Sequence, residues 1–125
     1  MKEKRPVNLG LMGIKFPVTA ITSILHRITG VFLFLALPFL IWMLELSISG
    51  EANFYQLITT LQQPFMRFIT WFLVIIAGYH VFAGIRHILM DVGILPVSFR
   101  CGSLSSWVVI VLAVVFAVFV GIQVW

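Results

Sequence analysis

FITWFLVIIAGYHVFAGI, Phe68 to Ile85, runs for eighteen residues without an Asp, Glu, Lys or Arg. As a helix it would rise about 27 Å, close to the thickness of a bilayer's hydrocarbon core. Two other stretches share the property: ITGVFLFLALPFLIWML, Ile28 to Leu44, and the run from Cys101 to Trp125. Continuous apolar runs of this length predict three transmembrane helices and an all-α integral membrane protein. Composition agrees, since apolar residues make up 62% of the 125-residue chain and charged residues 10%, against roughly 25% charged in a soluble domain. Three spans with short connections leave residues 1–125 as a single membrane-anchor domain. Any water-soluble chemistry must therefore belong to a partner.

Punctuation along the chain places the helices at about 20–48, 65–91 and 104–125. Pro17 and Thr19 suit a helix start, and Ser47, Ser49 and Gly50 its far end, with Pro38 inside. Pro64 opens the second helix, and Gly93 and Pro96 stop it. The third begins near Ser103 to Ser106, with Trp107 and Trp125 as interfacial anchors and no ionisable group in its core, which reads as scaffold. Glu45 to Arg67 and Arg86 to Arg100 are left as connecting loops. The first span exceeds a signal-peptide core, and Leu44-Glu45-Leu46 offers no small-residue cleavage site, so it is expected to stay in the mature chain.

Lys2, Lys4, Arg5, Lys15 and Arg27 face a single acid, Glu3, in the first 27 residues. The excess of basic residues predicts a cytoplasmic N-terminus and a periplasmic C-terminus. The net charge of +4 is thus a topology signal and a possible contact with anionic lipid or an acidic partner, not a nucleic-acid surface. Cys101 is the only cysteine, so neither an internal disulfide nor a CxxCH haem attachment is available.

Two polar clusters interrupt the apolar pattern. Ser23, His26, Arg27 and Gly30 fall at i, i+3, i+4 and i+7 near the start of the first helix, where a hydroxyl and a guanidinium on one face make a polar pocket. The bland alternative has Arg27 snorkelling to headgroups and Ser23 bonding its own backbone. His80, Gly84 and His87 share a face of the second helix, with Asp91 a turn further on. A buried imidazole needs a partner, and a metal, another helix or water in a proton path would each serve. Haem iron is a natural acceptor, and Gly78 and Gly84 would let a flat macrocycle or another helix approach. Arg86 and His87 at the membrane edge suit haem propionates, or in the case of Arg86 simple solvation. If iron takes two imidazoles, the second must come from another subunit.

The segment RPVNLGLMGIKFPVTAITSILHRIT, Arg5 to Thr29, resembles the signature of the cytochrome b subunit of succinate dehydrogenase. There an RP pair precedes S-x-x-H-R-x-[ST]. HVFAGIRHILMDVG, His80 to Gly93, is similar to that family's second signature, H-x-x-x-G-I-R-H followed by D-x-G. The resemblance implies one of two small anchor subunits of respiratory complex II in the bacterial inner membrane, an enzyme only as part of that assembly. The partners would be a second anchor subunit, an iron–sulfur subunit and a flavoprotein subunit. Electrons from succinate would pass through the FAD and iron–sulfur clusters of those partners to ubiquinone. Carried over by motif position, His80 would be the axial ligand of haem b, shared with the second anchor. Ser23 and Arg27 would line the quinone site; His26, Arg86 and His87 would lie near the haem or quinone, with Asp91 a weaker candidate.

Two other functions fit the same residues: a purely structural membrane anchor, or a proton-channel subunit with His80 as a relay. The second expects polar groups continuing to the far side, where the second helix offers mainly Thr70.

Overall fold

The computed structural model describes residues 16–125, all helix and connecting turns. The basic cluster Lys2, Lys4, Arg5 and Lys15, the Arg5-Pro6 pair and Glu3 lie outside the described residues. Helix α1 spans Val18–Ile48, α2 Glu51–Leu61, α3 Pro64–Asp91 and α4 Phe99–Val124. Three of them, α1, α3 and α4, are long and apolar enough to cross a membrane.

Local chemistry sets the ends. α1 continues through Pro38, whose ring removes one backbone donor, a loss that membrane helices tolerate. At its far end the hydroxyls of Ser47 and Ser49 turn back onto the Leu44 and Leu46 carbonyls. Gly50 then takes φ +134°, a conformation open to glycine, and redirects the chain. Where the sequence suggested a loop from Glu45 to Arg67, the structure has α2. Its sequence is too polar for a span, yet Phe54, Leu57, Ile58 and Leu61 recur at i, i+3, i+4 and i+7, an apolar stripe on one side. Leu57 is buried, and α2 packs against both α1 and α3. Eleven residues of mixed polarity give a weak helical signal by themselves; the flanking spans supply the surface that buries Leu57, while Phe54 and Ile58 stay exposed.

Pro64 occupies the first turn of α3, where its missing N–H costs nothing. Gly93 closes that helix with φ +76°. α4 begins about a turn earlier than the Ser103–Ser106 cluster suggested, because Ser98 caps it: its Oγ accepts the Cys101 N–H at 3.2 Å. Arg100 is thereby part of the helix.

α3 is the hub, packed on both α1 and α4, which also touch each other. Tyr79 and Ala83 of α3 and Val109 and Ala113 of α4 form the buried core, with Phe82 against it. Small residues let backbones approach where lipid offers no hydrophobic drive for helix association. Most of the remaining apolar surface stays exposed, including Phe34, Leu35, Val115 and Phe119, as befits helices bathed in lipid or covered by other membrane helices.

Candidate functional site

The two polar clusters, fifty residues apart in sequence, meet where α1 crosses α3. The rings of His26 and His80 stack with centroids 4.1 Å apart and planes 17° from parallel. His87 lies beside His26, with ring centroids 5.1 Å apart and planes tilted by 51°. Glycines make the crossing possible in both directions. A Cβ at Gly30 would come within 3.1 Å of His80 Cε1, and one at Gly84 within 3.4 Å of His26 Nε2. Each helix offers a glycine to the other's imidazole.

His80 is held by one nitrogen. Its Nδ1 lies 3.1 Å from the His26 carbonyl oxygen and 3.1 Å from Thr29 Oγ1. A carbonyl only accepts, so Nδ1 carries the proton. The Thr29 hydroxyl donates its own proton to the same carbonyl at 2.9 Å, leaving its oxygen to accept from Nδ1–H. One tautomer satisfies all three contacts. Nε2 then keeps its lone pair, free among the described residues.

Arg86, one residue before His87, is turned about 100° away from it around the helix. It is 5% exposed and faces α4, where Nε donates to Ser105 Oγ at 2.9 Å and an Nη donates to the Gly102 carbonyl at 3.2 Å. Ser105 and Ser106 also donate to that carbonyl. Thr19 of α1 lies 3.2 Å from where a Gly102 Cβ would stand, so three helices meet at Gly102. Arg86 is thus not solvated, and its hydrogen bonds go to α4 and not to the histidines; Gly78 opens no space either, since the Phe116 ring of α4 lies against it.

Ser23 is half-buried and Arg27 is exposed on α1. Of the four residues at helical spacing, His26 and Gly30 turn toward α3 while Arg27 points outward. Arg86, Asp91 and Arg27 all lie within Coulombic reach of His87, so both arginines stay beside the cluster. Asp91 is exposed, and Cys101 lines an apolar groove between α3 and α4. Thr70, about 15 Å along α3 from His80, lies among Leu33, Leu40 and Leu73, and its hydroxyl has no hydrogen-bond partner among the described residues. It continues no polar path.

Sequence reasoning assigns no role to Thr22 or Tyr79, and Thr29 stands there only as the Ser-or-Thr position that ends the first signature. Thr22 is fully buried and accepts the Tyr79 hydroxyl on its carbonyl at 3.0 Å. The available signal was the spacing Thr22, His26, Thr29 at i, i+4, i+7, a polar stripe 100° from the one that starts at Ser23.

Known proteins converge on one family. The model of the succinate dehydrogenase/fumarate reductase transmembrane subunit matches residues 1–121. A succinate dehydrogenase cytochrome b556 subunit of Coxiella burnetii is 36% identical over 126 residues, spanning 100% of both chains. One from Rickettsia bellii is 33% identical over 123 residues, 92% of this chain and 89% of the other. A cytochrome b560 subunit of Reclinomonas americana is 40% identical over 99 residues, 74% of this chain and 68% of the other. With three bilayer-length helices joined to this match, the chain belongs to the succinate dehydrogenase/fumarate reductase transmembrane subunit family, as a multi-pass cytochrome b anchor of succinate dehydrogenase in the bacterial inner membrane.

Proposed function

We propose that this anchor binds haem b through His80 Nε2 and forms, with Ser23 and Arg27, part of the site where ubiquinone is reduced. The observation that carries the haem assignment is the tethering of Nδ1 to the His26 carbonyl and Thr29, which leaves the opposite nitrogen without a partner among the described residues. Metal-bound imidazoles have this arrangement: one nitrogen ligates and the other donates to a carbonyl or hydroxyl. Among the described residues no group of three or more His, Cys, Asp or Glu is placed to hold a bare ion, whereas a macrocycle supplies the equatorial ligands and needs only axial ones. His80 would provide one such ligand and the second anchor subunit the other. When bound, haem b would supply a one-electron carrier. His26, stacked on His80, and His87, beside His26, would serve the propionate or quinone side. Arg86 is tied to α4 by its hydrogen bonds and keeps its charge within reach of His87.

In the assembled enzyme the FAD of a flavoprotein subunit and the clusters of an iron–sulfur subunit would supply the electrons from succinate, on the side where this chain's N-terminus is expected. Arg27 presents a guanidinium at the α1 surface where a partner and a quinone can meet it, and Ser23, about one turn before it, presents a hydroxyl. Both stabilise negative charge developing on a quinone oxygen during reduction, a preorganised electrostatic effect. Because the site lies near the face from which electrons and protons arrive, little charge need cross the membrane.

Two substitutions test this in the purified complex. His80→Ala is expected to lose most of the b-type absorption; an unchanged spectrum rules out His80 as ligand. Arg27→Leu is expected to lower quinone reduction by about 100-fold, the effect of removing one oxyanion donor, while dye-linked succinate oxidation by the soluble subunits continues. Normal quinone turnover in that variant removes Arg27 from the site.

A further inference from the structure

We propose that Thr29 is a positioning residue that sets the electronic character of His80. This rests on the assignment of His80 as haem ligand and adds what tunes it. Thr29 is buried and lies in α1, whereas His80 lies in α3, so the 3.1 Å contact between its Oγ1 and the imidazole Nδ1 joins two helices. Its hydroxyl hydrogen goes to the His26 carbonyl three residues earlier. That bond orients the oxygen lone pairs toward the ring and makes Thr29 an acceptor there, not a competitor for the proton.

The consequence is chemical as well as steric. An Nδ1–H shared between two acceptors gains imidazolate character, which raises the basicity of Nε2 and favours the oxidised over the reduced metal. A Thr29 hydroxyl engaged with both groups also fixes the angle of the ring about its Cβ–Cγ bond. Gly30, next in sequence, keeps the Cε1 edge clear. Adjacent residues of one helix thus do two jobs for an imidazole on another: Thr29 holds its proton, and Gly30 leaves room for its edge. Helix packing alone does not require the hydroxyl, since valine has the same branched shape.

The test is redox titration of the haem in the intact complex, purified through a tag on this chain. Thr29→Val is expected to retain haem but shift its midpoint potential upward, with altered low-spin resonance positions in the oxidised state. Thr29→Ser, which keeps the hydroxyl, is expected to titrate as the parent does. If the valine variant does not assemble, Thr29→Ala carries the same expectation. A valine or alanine variant with the parent potential overturns the proposal, as does a serine variant that shifts as far as valine, because the effect would then follow volume. His80→Ala separates the two levels. If it leaves the spectrum intact, the ligand assignment fails; if it removes the haem while Thr29→Val titrates normally, only the role of Thr29 fails.

Discussion

α3 carries two seams that look alike in composition and differ in what they leave free. Both bring a glycine, a serine or threonine and a strongly basic or imidazole side chain to a helix crossing. On the α4 side the polar groups satisfy one another: Arg86 binds Ser105 and the Gly102 carbonyl, Ser105 and Ser106 bind the same carbonyl, and Phe116 covers Gly78. On the α1 side Thr29 and the His26 carbonyl hold one nitrogen of His80, and the other remains. The α4 seam is closed on itself, and the α1 seam is the one to which the proposed function assigns the site. In a membrane the distinction is sharp, because a polar group left without a partner in hydrocarbon is costly unless something binds it.

The largest expected effect on stability comes from the closed seam. Gly78→Ala places a methyl carbon where the Phe116 ring now stands, with ring carbons at 2.3 and 2.5 Å. The ring must leave its edge-on contact with Phe82, at a cost of about 2 to 3 kcal/mol typical of overpacked cores. Thermal unfolding of the purified complex is expected to report that loss, while the haem spectrum of the folded fraction stays unchanged. A spectral change with intact stability would mean that the two seams are not separable.

Ser105→Ala probes the same side more gently. It leaves the buried Nε of Arg86 without its acceptor, while an Nη still reaches the Gly102 carbonyl. Losing one hydrogen bond to a charged group costs about 1.5 kcal/mol. The expected outcome is a modest fall in unfolding temperature, with haem content and quinone turnover as in the parent. Loss of quinone turnover would show that Arg86 reaches the site through α4 after all.

Much of this was legible in the residues, for physical reasons. Charge-free runs of bilayer length admit few structures other than spanning helices, so α1, α3 and α4 follow from Phe68–Ile85 and its two counterparts. α2 did not, because an eleven-residue helix owes its existence to the surfaces beside it, and no single-strand pattern displays them. At the site, helical spacing grouped His80 with Gly84 and His87 and separately grouped His26 with Gly30. Spacing within a helix says nothing of which helices meet, so the stacking of His26 on His80 was out of reach. Nor does spacing decide rotation: Ser23 and Arg27 drew attention as the polar members of their face, whereas the crossing turns Thr22, His26 and Thr29 toward α3. Arg86 shows the same limit, since its neighbour His87 implied the cluster and the 100° step between them sends it to α4.

Gly30→Ala has the smallest expected effect on folding and separates the seams most directly. The added methyl would stand 3.1 Å from His80 Cε1, tighter than ordinary contact by a few tenths of an ångström. That strain is relieved by a slight rotation of the imidazole and costs less than about 1 kcal/mol. The same rotation lengthens the bonds from Nδ1 to the His26 carbonyl and to Thr29, both at 3.1 Å, and moves Nε2 away from the direction they impose. A shift in the haem optical and resonance spectra is therefore expected with nearly normal unfolding, the reverse of Gly78→Ala. If Gly30→Ala instead lowers the unfolding temperature and leaves the haem signature untouched, the α1 seam is packing like the other, and His80 takes its orientation from elsewhere in the complex.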